Sequence, residues 1–151
     1  MPEECRNIYK TCRKAAGFTQ EAAAERLGIS VESLRAYETG QRVPPDDVVE
    51  LMSVLYNALH LIVQHVREKN AMYSRVVPEV PQCSVLEASA RLTNRIYAFA
   101  DSHADRRLMR MAEDNVIDPV ERPEFDAILE ELQEIVEAAL ALRCAKDTER
   151  A

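Results

Sequence analysis

Apolar residues recur every three or four positions along much of this chain, which is the spacing of a helix face. One such stripe follows Pro44 and Pro45, and it comprises Val48, Met52, Leu55, Leu59, Ile62 and Val66. A second lies near the C-terminus and comprises Phe125, Ile128, Leu129, Leu132, Ile135, Val136, Ala139 and Leu140. We therefore predict an all-α protein.

The periodicity stops over residues 71–83, which contain Pro78 and Pro81. This break predicts a connector between an N-terminal domain, residues 1–70, and a C-terminal helical hairpin, residues 84–151. Residues 46–56 and 57–70 are read as two helices separated at Asn57. The second of them either leaves the N-terminal bundle, closes it, or forms an intermolecular coiled coil.

The hairpin is predicted to begin with a helix that Ser84 caps and that runs to about Glu113. The polar stretch from Asp101 to Asp105 can interrupt this helix. A final helix is expected from about Pro123 to Ala145, because proline is favoured at a helix start. Its acidic face is read mainly as a solvated surface. The arginines at 106, 107 and 110 can pair with that face across the hairpin, lie in solvent, or form an accessory DNA contact.

The segment from Gly17 to Gly40 predicts two short helices joined by a tight turn. Thr19 is a good cap for a helix over residues 20–27, and Gly28 can end that helix in a left-handed conformation. Ser30 can cap the next helix, which Gly40 ends. Leu34 and Tyr37 are three residues apart, so they can face inward together and leave the other face exposed. Such a pair of helices can present one of them to the major groove of DNA.

The letters TQEAAAERLG, then Ser30, then LRAYETGQRVP resemble the XRE (Cro/cI-type, lambda-repressor-like) helix-turn-helix family, over roughly residues 5–56. The resemblance implies a bundle of four or five helices in which residues 30–39 form the recognition helix. It also implies that Gln20 contacts a phosphate and braces that helix, and that Arg13 and Glu38 form an internal ion pair. The C-terminal part resembles, less specifically, helical tails of small phage or mobile-element regulators.

The predicted base contacts on the recognition helix are Val31, Glu32 and Arg35. Valine can pack on a thymine methyl, glutamate can accept from cytosine, and arginine can reach guanine or a phosphate. Glu32 is alternatively a solvated carboxylate that stabilises the helix N-terminus. The predicted phosphate contacts are Gln20, Ser33, Thr39 and Arg42.

The net charge of −7 is distributed unevenly along the 151 residues. Residues 1–45 carry seven basic and six acidic side chains, whereas residues 101–151 carry seven and fourteen. The cations Arg6, Lys10, Arg13, Lys14, Arg35 and Arg42 can still gather on a DNA-facing side. Because the long-range attraction of such a head is modest, we expect two copies to act together as a homodimer through the C-terminal helices.

Composition argues against other classes of protein. Neither a signal peptide nor an apolar run near 18 residues occurs, so a cytoplasmic protein without a membrane segment is expected. Cys5, Cys12, Cys83 and Cys144 lack metal-ligand spacing and are read as buried thiols. His60 and His65 are five residues apart, which does not suit a zinc pair on one helix. No cofactor, metal site or enzyme motif is predicted, and the loop at residues 114–124 lacks EF-hand spacing.

Two functions follow from these patterns. The first is a sequence-specific transcription regulator that binds an inverted repeat in double-stranded DNA as a homodimer. The second is a protein-interaction module, an antitoxin-like or phage regulatory adaptor, that keeps the helix-turn-helix scaffold with weak or no DNA binding. The acidic tail would then engage a protein partner.

Overall fold

A computed structural model describes residues 7–146 of the chain, so the expectations for Cys5 and Arg6 lie outside the described residues. Contacts divide the chain into two compact units, Met1–Glu79 and Val80–Ala151. Every regular element in the described part is helical, which confirms the predicted all-α class.

From residue 7 onward, the first unit contains five α-helices. They are α1 (Ile8–Ala15), α2 (Gln20–Leu27), α3 (Val31–Glu38), α4 (Asp46–Leu55) and α5 (His60–Lys69), followed by a short 3₁₀ turn at Tyr73–Arg75. Asn57 adopts a positive φ of 48° between α4 and α5, where the break was predicted. Helix α5 packs against α1 and α4 and buries Leu61, so it closes the bundle.

The core of this unit draws on all five helices. Its fully buried side chains include Leu34 from α3, Met52 from α4 and Leu61 from α5, each with no exposed surface. Two small residues of α2, Ala23 and Ala24, are both buried, so α2 can pack closely against the other helices of the unit. Tight packing of this kind fixes α3 against α2 and therefore fixes which face of α3 is exposed.

Tyr56, just after α4, is the largest fully buried side chain among residues 7–146. Its ring lies 6.1 Å from that of Phe18, centroid to centroid. Its hydroxyl has no hydrogen-bond partner in the described part of the chain. Burial, and secondarily the charge of Glu38, raises the pKa of Tyr56 to about 12.

Replacing Tyr56 by phenylalanine is expected to leave the free energy of unfolding at pH 7 unchanged, or to raise it by up to about 1 kcal/mol, because an unsatisfied buried hydroxyl is removed. The wild-type protein should lose stability above pH 10, since the unfolded tyrosine ionises near its ordinary pKa while the folded one keeps its proton until about 12. The contribution of Tyr56 to this loss approaches about 3 kcal/mol once both forms have ionised. The variant should lack that contribution and keep the one from Tyr9, whose pKa burial also raises to about 12.

Urea unfolding at pH 7, 10 and 11 measures both effects. The control is Tyr73→Phe, because Tyr73 is 47% exposed and its removal should leave the alkaline loss in place. A cost above about 1 kcal/mol for Tyr56→Phe at pH 7 would show that the hydroxyl contributes to the native state.

The second unit contains α6 (Val85–Asp101), α7 (Ala104–Met111) and α8 (Arg122–Cys144). Ser84 caps α6 as predicted, by accepting a hydrogen bond from the backbone of Glu87 at 3.2 Å. The predicted interruption is confirmed, because α6 ends at Asp101 and His103 takes a positive φ of 57° before α7. Helices α6 and α8 form the hairpin, and α7 packs against both of them.

One ion pair joins α6 to α8 and another joins α7 to α8. Arg95 of α6 lies 2.6 Å from Glu134 of α8, and Arg107 of α7 lies 3.0 Å from Glu124. In the loop before α8, Asp118 accepts hydrogen bonds from the backbone of Val120 and Glu121, so it caps a turn there.

Candidate nucleic-acid interface

Helices α2 and α3 are set by local sequence signals on either side of a short turn. Thr19 accepts a hydrogen bond from the backbone of Ala22 at 3.1 Å, and Ser30 accepts one from the backbone of Ser33 at the same distance. Each bond satisfies an amide that a helix start would otherwise leave without a partner. Gly28 ends α2 with φ of 68°, a conformation that glycine adopts without steric cost. These caps are the predicted ones.

Helix α3 has a buried side and an exposed side. Leu34 is fully buried and Tyr37 is 7% exposed, so both face the core as predicted. Glu32 and Arg35 are exposed, whereas Val31 is half-buried and packs against the core cluster. Of the three predicted base contacts, two therefore present most of their side chain to solvent, and Val31 presents only part of its own.

A buried ion pair joins α1 to the C-terminal end of α3. Arg13 Nε lies 2.6 Å from Glu38 Oε1, and Arg13 Nη2 lies 3.0 Å from Glu38 Oε2, so the pairing is bidentate. The hydrogen bond that Arg13 donates to Glu38 raises the pKa of Arg13, and the guanidinium stays charged. Arg13 also donates to the backbone oxygen of Phe18 at 2.7 Å. The internal pair that the family resemblance implied is present here.

Gln20 connects this buried pair to the exposed face of α3. Its amide nitrogen donates to Glu38 Oε2 at 2.9 Å, and its amide oxygen accepts from Arg35 Nε at 3.2 Å. Arg35 also lies 3.7 Å from Glu21 through its Nη2. The side chain of Arg35 is thus oriented by α2 while its outer guanidinium edge stays in solvent, and Gln20 braces the helix as the resemblance implied.

The other predicted phosphate contacts lie around the C-terminal end of α3. Arg42 donates to Ser33 Oγ at 3.0 Å and lies 5.3 Å above the ring of Tyr37. Ser33 also accepts from the hydroxyl of Ser30 at 2.9 Å. Thr39 donates to the backbone oxygen of Arg35 at 2.8 Å, so its hydroxyl is directed toward its own helix. The structure brings Ser33 and Arg42 together, whereas the Thr39 hydroxyl bonds to the backbone of α3.

The first unit matches a known domain family. A family profile described as a helix-turn-helix domain matches residues 10–60. Residues 10–60 are therefore similar to a helix-turn-helix domain, in agreement with the resemblance to the XRE family. The HTH-type transcriptional regulator ImmR of Bacillus subtilis (strain 168) is 44% identical over 48 residues, which cover 32% of this chain and 38% of that regulator. No solved structure matches this chain.

In the helix-turn-helix domain, cations and carboxylates lie side by side. Lys10, Lys14 and Arg35 are exposed, but so are Glu21 and Glu32. Mixed charge of this kind gives a small net field, so contact with a polyanion depends on where individual cations are held. Arg35 and Arg42 are exposed cations that side-chain hydrogen bonds hold at α3.

Two histidines of α5 form contacts that the sequence did not indicate. His65 Nδ1 lies 2.7 Å from the hydroxyl of Tyr9, and His65 Nε2 lies 3.0 Å from Asp46 Oδ1. Hydrogen bonds from Lys69 and then His65 lower the pKa of Asp46. His60 Nε2 lies 3.4 Å from Cys12 Sγ. Both histidines thus join α5 to α1, and the described residues contain no group of three potential metal ligands.

None of the helices between residues 7 and 146 is both long and apolar enough to cross a membrane. Cys12 is buried, whereas Cys83 and Cys144 are half-buried. Burial raises the pKa of the Cys144 thiol, which disfavours the reactive thiolate. The thiols therefore have the character of packing residues.

Proposed function

We propose that this protein is a sequence-specific DNA-binding transcription regulator. The observation that carries the proposal is the position of Arg35, which projects from the exposed side of α3 and is oriented by Gln20. An arginine held in this way can bind the O6 and N7 atoms of guanine in the major groove. The identity to a transcriptional regulator, although confined to 48 residues, supports the same role.

We further propose the division of roles on this surface. Arg35, Glu32 and the exposed part of Val31 contact bases, and Gln20, Ser33, Thr39 and Arg42 contact the phosphate backbone. Phosphate contacts fix the position of α3 and base contacts supply the specificity. A second copy bound to the other half-site compensates for the small net charge of the domain, so an inverted repeat is the expected operator.

Selection from a library of genomic DNA fragments tests this function. The full-length protein at about 50 mM salt, where phosphate contacts are strongest, should enrich fragments that share one inverted repeat. The two half-sites should be about 34 Å apart, or a multiple of that spacing. Failure to enrich any shared sequence at this salt concentration would overturn the proposal.

A protein-interaction module is the second candidate, and one observation favours it. Glu32 is exposed at the start of α3, where a carboxylate weakens contact with phosphates. If the protein is an interaction module, the variant Glu32→Gln should bind DNA as weakly as the wild-type protein does. If DNA binding is the function, removing this carboxylate should raise affinity for unrelated DNA while the selected repeat remains the preferred one.

A further inference from the structure

Helix α6 carries two apolar stripes. The first, with Ala88, Leu92 and Phe99, faces the interior of the second unit, where Ala88 is fully buried. The second recurs at alternating spacings of three and four residues and comprises Leu86, Ser89, Thr93, Ile96 and Ala100. This second stripe contains no charged residue, and Leu86 and Ile96 are 81% and 49% exposed. Tyr97 beside it is 63% exposed.

Helix α8 has the same two-sided character. Ile128 and Ala138 are buried within the unit. A second stripe again alternates spacings of three and four, and it comprises Leu129, Leu132, Val136 and Ala139. Leu129 and Val136 are 45% and 46% exposed, and Ala139 is exposed as well. Each helix therefore has more apolar surface than the hairpin buries.

The two exposed stripes lie on the same side of the hairpin. Helices α6 and α8 are antiparallel, because Ser84 before α6 pairs with Lys146 after α8 while Arg95 pairs with Glu134. The charged flanks of the two helices meet on one side, where Arg91, Arg95, Glu134 and Glu137 line one cavity. In an antiparallel pair the opposite flanks also share a side. We call that side the α6/α8 apolar face. Its exposed apolar side chains are Leu86, Ile96, Ala100, Leu129, Val136 and Ala139, and the uncharged Ser89 and Thr93 lie among them.

The size of this face indicates what can cover it. At 1.5 Å per residue, the 17 residues of α6 extend about 26 Å. Two helices about 10 Å apart present a strip roughly 20 Å wide, hence on the order of 500 Å² on each partner. One added helix, about 10 Å across, would cover only half of that width. A second two-helix layer covers all of it, and the pair then buries on the order of 1,000 Å², the lower limit for a specific interface.

We infer that the α6/α8 apolar face binds the same face of a second copy of this chain, related by a two-fold axis. The product is a four-helix layer in which each hairpin supplies two helices. The stripe on α8 is bounded by two exposed arginines, because Arg122 lies seven residues before Leu129 and Arg143 lies seven after Val136. The part of the face between them is uncharged and suits self-association, because no side chain there meets a like charge when the face pairs with itself. The inference rests on the proposed function, to which it adds the surface that joins the two DNA-binding domains.

Sedimentation of the full-length protein over a concentration series tests this interface. We expect a dimer for the wild-type chain and an increase of at least about 100-fold in its dissociation constant for Ala139→Glu, since two carboxylates would be buried without partners. The matched control is Ala98→Glu, because Ala98 is an exposed alanine on the charged flank of α6. Circular dichroism should show unchanged helix content in both variants.

Two outcomes would overturn the inference. One is a wild-type chain that stays monomeric up to about 100 µM, far above the dissociation constants of specific dimers. The other is a dimer dissociation constant for Ala139→Glu that equals the one for Ala98→Glu. The variant Val136→Glu can be compared with Ala98→Glu in the same way. DNA binding is scored separately by fragment selection, so a monomer that still enriches one sequence would refute the interface and leave the proposed function standing.

Salt separates the two interactions further. Phosphate contacts weaken steeply as salt concentration rises. An uncharged apolar interface does not, so the dimer should persist at about 500 mM salt, where DNA binding is lost. Dissociation of the dimer under these conditions would show that ion pairs hold it, contrary to the inference.

Discussion

Replacing Glu38 by alanine is expected to lower the free energy of unfolding of the first unit by about 3–5 kcal/mol. The substitution leaves the guanidinium of Arg13, whose side chain is 8% exposed, without its bidentate partner. It also removes the acceptor of the Gln20 amide. The expected loss is large because a buried charge without a partner destabilises the folded state by much more than the intact ion pair stabilises it.

Urea unfolding at pH 7 measures this loss, with near-ultraviolet circular dichroism of tyrosine as the signal. Four of the five tyrosines, at positions 9, 37, 56 and 73, lie in the first unit, so the signal reports mainly on that unit. The control is Glu32→Ala on the same helix, where the carboxylate is exposed and the change should be within about 0.5 kcal/mol.

A double variant separates charge from packing. Arg13→Leu combined with Glu38→Leu replaces the pair by apolar side chains, and it should recover most of the stability that Glu38→Ala loses. If Glu38→Ala instead costs no more than Glu32→Ala, the pair is not buried in solution as it is in the structure.

Replacing Arg35 by alanine is expected to weaken binding to the selected repeat while leaving the fold intact. Loss of one bidentate contact to guanine costs about 1–3 kcal/mol. A dimer makes the contact in both half-sites, so affinity for the repeat should fall roughly 30-fold to 10⁴-fold. Because the Arg35 side chain is 57% exposed, the free energy of unfolding should change by less than about 0.5 kcal/mol.

Titration of the operator and of an unrelated duplex at fixed salt checks this expectation. The control is Arg75→Ala, which removes the same charge from the 3₁₀ turn after α5. Arg35→Lys adds a second comparison, since lysine keeps the charge but cannot form the bidentate contact. Equal losses on both duplexes, matched by Arg75→Ala, would mean that Arg35 contributes charge alone.

The sequence predicts those parts of the fold that depend on neighbours along the chain. Thr19, Gly28 and Ser30 act within three residues of their own positions, so the bounds of α2 and α3 follow directly from them. The break before α7 follows in the same way from a run of polar residues. It is His103 that takes the left-handed conformation there, and composition alone does not single it out.

Contacts between distant residues could not be derived in that way. The bond between Tyr9 and His65 spans 56 positions, and nothing in the spacing of either residue indicates the other. The pairing of Arg13 with Glu38, 25 positions apart, was available only because a family resemblance implied it. Helix α7 was read as a continuation of α6, since an amphipathic pattern does not reveal which helix it packs against.

The sequence predicts which residues belong to the candidate site, but not how their side chains are oriented or which of them contact each other. Val31 begins a helix and was grouped with the outward-facing residues, but it packs beside Ile29 on the core and is half-buried. The link from Gln20 to Arg35 depends on the distance between α2 and α3, which the core sets. Side-chain direction at a helix start is therefore decided by tertiary packing more than by sequence spacing.

The hydrogen bonds of Gln20 also bear on how this domain could be redesigned. Glu32 is exposed, and in the described structure it makes no side-chain hydrogen bond or ion pair that fixes it. A library of substitutions at that position can change operator preference without disturbing the helices. At Gln20 the same library would alter both the orientation of Arg35 and the environment of the Arg13–Glu38 pair. Evolution of new binding specificity should therefore proceed more readily at position 32 than at position 20.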